Sequence, residues 1–283
     1  MTLVKRNMLV YFRDGRNVFF SLFSVMLMVG MYVLFLGRSM EQALQSMIGT
    51  DLSHGPVMTS IILAGMAATT SVTIGMIGIY RFVDDKEGAA KDFLTTPISR
   101  RKIIFSYVTG AALIGLIMTT AILTISIFYL VLNGSNILTV NNVFRIIVTA
   151  VLTTLCANSM VFMLTTITKT RESFSSLITL VSTIIGFAMG VFLPMGNMPH
   201  TVARVLHFFP LNHGASMFRQ IFADEKLANL FAGVPVEYLH EFRMFFGIAL
   251  QYGDYVSSFW FSAGVLAVTA VVFYGLSLAI MRK

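Results

Sequence analysis

Six uninterrupted apolar stretches dominate the chain, and each is long enough to cross the roughly 30 Å of bilayer hydrocarbon as a helix. They run over 17–37, 56–80, 103–132, 143–168, 174–193 and 255–281. Apart from Arg145 at the outer edge of the fourth, none contains Asp, Glu, Lys, Arg or His. Charged residues make up only 12% of the 283, against about 25% in soluble domains. That excludes a soluble enzyme and a disordered chain. The expectation is one all-α, polytopic membrane domain over 1–283 with six transmembrane helices. The first stretch follows Lys5, Arg6, Arg13 and Arg16, as a secretory signal would. It is too long for a signal's apolar region, and Arg38-Ser39-Met40-Glu41 is no small-residue cleavage site. It reads as a retained span.

The formal net charge is +7, which in a soluble protein would suggest nucleic acid. Here its distribution gives another reading. With the N-terminus inside, 14 of the 20 Lys and Arg fall in inner segments, which net +8, while the outer segments net −1. This is the positive-inside bias. It puts both termini in the cytoplasm of a multi-pass plasma-membrane protein and leaves no case for a nucleic-acid partner. Cys156, the only cysteine, excludes an internal disulfide and reads as a small packing residue.

Absences narrow the function. Carriers driven by protons or sodium usually hold ionisable groups at mid-membrane, and these spans lack them. There is no Gly-Lys-Ser/Thr of a phosphate-cradling loop and no Gly-x-Ser-x-Gly elbow. His240-Glu241-Phe242-Arg243-Met244 lacks the second His of a zinc-protease motif. The five histidines all fall in outer segments, and the spacings of His200, His207 and His213 fit no standard zinc pattern. They read as interfacial and solvated. No cofactor or metal is expected on this chain, and an intramembrane enzyme is disfavoured.

The inner loop between the second and third spans, 81–102, has the grammar of a short helix. Asp84 stands in capping position with Glu87 three residues on, and Glu87 and Lys91 form an i, i+4 pair. Pro97 disfavours helix at Thr96. Ala89, Ala90, Phe93 and Leu94 make an apolar edge. That edge either rests on headgroups and span ends or seats in a cytoplasmic partner.

This loop resembles the coupling-helix loop of type-2 ATP-binding-cassette (ABC) exporter permeases. The resemblance rests on Glu87, Gly88, Phe93-Leu94, Thr96-Pro97-Ile98-Ser99 and Arg100-Arg101-Lys102, placed between spans two and three of six. It extends along the chain. Residues 1–16 offer the family's N-terminal amphipathic helix along the inner surface, with Val4, Met8, Tyr11 and Phe12 on one arc and Arg6 and Arg13 roughly opposite. A basic flank that only sets topology would look similar. Residues 194–254 offer its re-entrant or interfacial segments between spans five and six, broken by Pro194, Pro199, Pro210 and Gly214. Met244–Tyr252 reads as a further interfacial helix.

The resemblance implies a permease subunit that pairs with a second permease chain and with two cytoplasmic ATPase subunits, which hold the ATP and Mg. The ATPase-coupling residues would be Asp84, Glu87, Gly88, Lys91, Phe93 and Leu94. A pathway framed by spans two and five would draw on Met66, Thr69, Thr70, Thr73 and Met76, and on Thr179, Ser182, Thr183 and Met189. Packing and backbone hydrogen bonding explain the same residue types. The cargo would be amphipathic: a drug, antibiotic, peptide or lipid. Gly186-x-x-x-Gly190 and Ala111-x-x-x-Gly115 suit close helix approach, within the chain or between chains. The competing class is a membrane scaffold or receptor-like protein docking a non-ATPase partner.

Overall fold

The computed structural model describes residues 2–16, 18–20, 23, 55–87, 100–168 and 170–280. The expected first span lies almost wholly outside these residues. The elements are α1 (Thr2–Arg13), α2 (Gly55–Glu87), α3 (Arg100–Leu132), α4 (Val140–Ile167), α5 (Arg171–Ala188), α6 (His200–His207), α7 (Pro210–Leu230), α8 (Val236–Phe245), a hairpin β1 (Gln251–Tyr252) and β2 (Tyr255–Val256), and α9 (Phe259–Ile280). Among the described residues four helices, α2, α3, α4 and α9, are long and apolar enough to cross a membrane. The stretch expected as span five forms α5, 18 residues that open with Arg171 and Glu172. At 1.5 Å per residue its length is about 27 Å.

α2 is the central helix, packed against α3, α4, α5 and α7. Its small residues explain why. A Cβ on Gly78 would meet the Ala111 backbone of α3 at 2.8 Å, and one on Gly115 would meet Thr154 of α4 at 2.8 Å. The Ala111/Gly115 pattern therefore serves packing inside the chain. The Thr and Ser hydroxyls along α2 donate to carbonyls three or four residues back, as Thr70 does to Met66 at 2.7 Å, so they can be buried without cost. α9 is largely uncovered, with Trp260, Val268 and Val271 exposed, as a lipid-facing helix would be.

The Gly186-x-x-x-Gly190 pattern is not a helix-packing stripe. α5 ends at Ala188, Gly190 adopts φ +64°, and the amides of Val191 and Phe192 return to the Gly186 carbonyl. Only glycine enters that left-handed turn without strain. Gly186 makes room for the Phe192 ring instead.

The segment 194–254 is more built than interfacial helices alone. α7 starts at Pro210, which suits a first helical position, and runs straight through Gly214. That glycine does not break the helix. It lets α7 approach α4, since a Cβ there would lie 2.5 Å from Thr153 Oγ1. Along α7, Phe218 and Phe222 join the main core, while Ala223 and Leu227 pack with Val57, Ile61 and Met66 of α2 and with Phe242 and Phe246. Met244–Tyr252 is not a helix. α8 stops at Phe245, Gly247 takes φ +63°, and the chain turns into the hairpin, pairing Gln251 with Val256 and Tyr252 with Tyr255.

α1 uses its apolar arc against protein. Tyr11, 1% exposed, packs with Ile74, Ile114 and Met118, while Leu9 is half exposed. Arg6 does not point away from the bundle: it reaches Asp85 of α2.

Candidate functional site

The C-terminal end of α2 is where the chain enters the expected coupling loop. Gly88, Lys91, Phe93 and Leu94 lie outside the described residues. Asp84 and Glu87 sit in the last turns of α2, so Asp84 does not cap a separate helix: α2 simply continues past the bilayer-spanning length. The two adjacent carboxylates on that extension face different elements. Asp85 accepts from Arg6 of α1 at 3.1 Å and from the Tyr107 hydroxyl of α3 at 2.5 Å. Asp84 pairs with Arg171 of α5 at 2.8 Å. Arg171 also donates through Nε to the Tyr80 hydroxyl at 2.9 Å and lies over the Tyr80 ring. The Thr170 hydroxyl accepts from the Ser173 amide at 3.2 Å and caps α5, fixing the turn that carries Arg171. The last turns of α2 are thus tied to α1, α3 and α5 together.

The pathway candidates divide by environment. Met66, Thr69, Thr70 and Met76 are buried among the chain's own helices, and Thr73 is partly buried. The Thr69 hydroxyl bonds back to Gly65 and Met66, and that of Thr73 to Thr69. Ser182 and Met76 meet, Oγ to Sδ at 3.6 Å, and join α5 to α2. Thr179 and Thr183 are exposed on the face of α5 that also carries Leu180, Ile184 and Phe187. Met189 ends α5 and offers its carbonyl to Arg219.

Arg219 is the outer segment's least expected residue. On α7 it is 1% exposed, and its guanidinium donates to the carbonyls of Met189 (2.6 Å), Gly190 (2.9 Å) and Gly247 (3.3 Å). Two of these belong to the C-terminal end of α5, where the helix dipole favours a cation. Gly65, Gly190 and Gly247 leave the space it fills, since Cβ atoms there would lie 3.3, 3.5 and 2.9 Å from its terminal nitrogens. Burial lowers its pKa to about 10, so it stays charged at neutral pH. Arg219 thereby joins α7, the end of α5 and the turn after α8. The sequence signal was a lone Arg inside Met217-Phe218-Arg219-Gln220-Ile221-Phe222, which charge counting absorbs as a topology residue.

His213 is also buried, not solvated, at 2% exposure. Its Nδ1 lies 3.0 Å from Ser262 Oγ of α9, and its Nε2 lies 2.8 Å from the Tyr252 hydroxyl of the hairpin, whose ring stacks on it. Burial, reinforced by His207, pushes the His213 pKa down to about 4. Asp224 and Arg243 pair at 3.2 Å nearby, and burial raises the Asp224 pKa. Asn158 of α4 is fully buried beside Gly75. Among the described residues no group of three or more His, Cys, Asp or Glu side chains is placed to hold a metal ion.

The apolar helix bundle, with its four helices long and apolar enough to cross a membrane among the described residues, fits an integral membrane protein. The model of the ABC-2 family transporter proteins matches residues 57–279. The chain belongs to that family: it is a permease component of an ABC transporter, a transport subunit without an ATPase domain of its own, and the family implies association with ATPase subunits. A comparison with curated protein sequences found no match.

Proposed function

We propose that this chain is the membrane half of an ATP-driven exporter of amphipathic molecules, with six spans and both termini in the cytoplasm. A second permease chain completes the pathway, and two separate ATPase subunits dock below with their ATP and Mg. The 84–102 loop is the coupling element, with Asp84, Glu87, Gly88, Lys91, Phe93 and Leu94 at the ATPase contact and its base. The observation that carries this reading is the three-way tie at the end of α2. A push delivered to the loop reaches α5 through Asp84–Arg171 and reaches α1 and α3 through Asp85. Thr179 and Thr183, on the open face of α5, face the cargo or the second chain. Met66, Thr69, Thr70, Thr73 and Met76 of α2, with Ser182 and Met189 of α5 itself, make the support behind that face.

The test is co-isolation. The chain, expressed with a candidate P-loop ATPase subunit, should purify as a complex that hydrolyses ATP, and the chain alone should show no hydrolysis. Hydrolysis by the chain alone, or capture of a non-ATPase scaffold in place of the ATPase, would contradict the proposal.

A further inference from the structure

The segment 194–254 carries a cavity open to the surface. It measures about 420 Å³ and lies between the 3-10 turn Met195–Asn197, α6, α8 and the start of the hairpin. A space of this size is within the range of small-molecule sites. Its lining includes the thioethers of Met195, Met198 and Met244 and the ring of Phe245. These are polarisable groups that adapt to irregular apolar ligands. The Phe245 ring takes its place in the lining because position 196 is glycine: a Cβ there would overlap the ring and drive it away.

The titratable side chains in the lining are one carboxylate, Glu241, and three imidazoles, His200, His207 and His240; among the described residues no Lys or Arg takes part in it, so with the imidazoles neutral its formal charge is that of the carboxylate. Among the described residues Glu241 makes no ion pair, whereas Asp84, Asp85 and Asp224 each have an Arg partner. An unpaired carboxylate beside an aromatic face and thioethers favours a cation with apolar bulk, by Coulomb attraction and cation–π contact. An anion of the same shape gains the apolar contacts but meets the carboxylate.

We infer that this cavity binds lipophilic cations, in which a positive centre is carried by aromatic or aliphatic bulk. The inference rests on the exporter reading and names the class of molecule that the outer segment accepts.

The test uses two ions of nearly the same shape and opposite charge, tetraphenylphosphonium and tetraphenylborate. Binding of each to the full-length chain in lipid nanodiscs is measured by calorimetry, with empty nanodiscs subtracted for partition into lipid. Saturable binding of the phosphonium and none of the borate is expected. Glu241→Gln, an exposed position, should weaken phosphonium binding about three- to fivefold, the range of a partly screened charge contact. Gly196→Val should abolish it by displacing Phe245. Equal binding of both ions, no saturable binding, or phosphonium affinity unchanged in either variant would overturn the inference. The ATPase is absent from this measurement. Failure here therefore leaves the exporter reading standing, and failure of ATPase co-isolation leaves the pocket standing.

Discussion

Replacing Arg219 by methionine separates two physical outcomes. The change keeps an unbranched apolar stem, shortens the side chain by two atoms and removes the charge. Three carbonyls, of Met189, Gly190 and Gly247, lose their guanidinium donors. Leaving a buried polar group unsatisfied costs about 1–3 kcal/mol, so the gross loss is about 3–9 kcal/mol. Part is returned, because a buried cation no longer needs desolvation. Among the described residues no carboxylate pairs with Arg219. The return is therefore limited by how far the α5 helix end already stabilised the charge. The net expectation is a destabilisation of about 3 kcal/mol, or about 6–12 °C in apparent melting temperature. Arg219→Lys should fall between, since one ammonium lacks the guanidinium's planar spread of donors. Thermal melting of detergent-purified protein, followed by fluorescence-detected gel filtration, reads both variants. A methionine variant as stable as the parent, or more so, would refute the reasoning. It would show that apolar filling serves the site as well as the three bonds.

Two further outcomes follow from the inner clamp and the buried imidazole. Exchanging Asp84 and Arg171 should impair ATPase-coupled transport in each single charge reversal, and restore it at least partly in the double variant Asp84→Arg with Arg171→Asp; additive losses in ATPase and transport assays would remove the pair from transmission. His213 has a folded pKa of about 4 against an ordinary 6.5, so between these values the unfolded chain takes up a proton that the folded chain refuses. Stability should fall as pH drops from 6.5 towards 4, by up to about 3 kcal/mol. Melting curves at several pH values should show this slope, and His213→Gln should flatten it; an unchanged slope in the variant would assign the effect elsewhere.

The features that survive from sequence to structure are those set by the solvent. Apolar length located α2, α3, α4 and α9, because hydrocarbon requires about twenty apolar residues whatever the helix packs against. The loop's motif pointed to the family that the match over 57–279 shows. What misled was local grammar where tertiary contacts decide. Asp84 reads as a cap, yet α2 runs on, with Asp84 tied to Arg171 and Asp85 to Arg6 and Tyr107. Gly190 reads as one half of a packing pair, yet it makes a left-handed turn. Gly214 reads as a breaker, yet it admits Thr153. Arg219 and His213 read as outer, solvated charge, because periodicity reports faces and not the partners that cover them. The carbonyls that hold Arg219 come from positions about thirty residues away on either side, and no local pattern encodes them. Even the threonines of α2 that read as pathway residues, Thr69, Thr70 and Thr73, turn their hydroxyls to their own helix.

The most direct measurement of the central claim, that the energy of ATP hydrolysis enters through the loop that follows α2, is a coupled assay on the reconstituted complex. Phe93→Asp with Leu94→Asp should leave membrane insertion and complex expression intact and abolish cargo movement driven by ATP, with hydrolysis no longer stimulated by cargo. Transport at the parent's rate in that variant would contradict it.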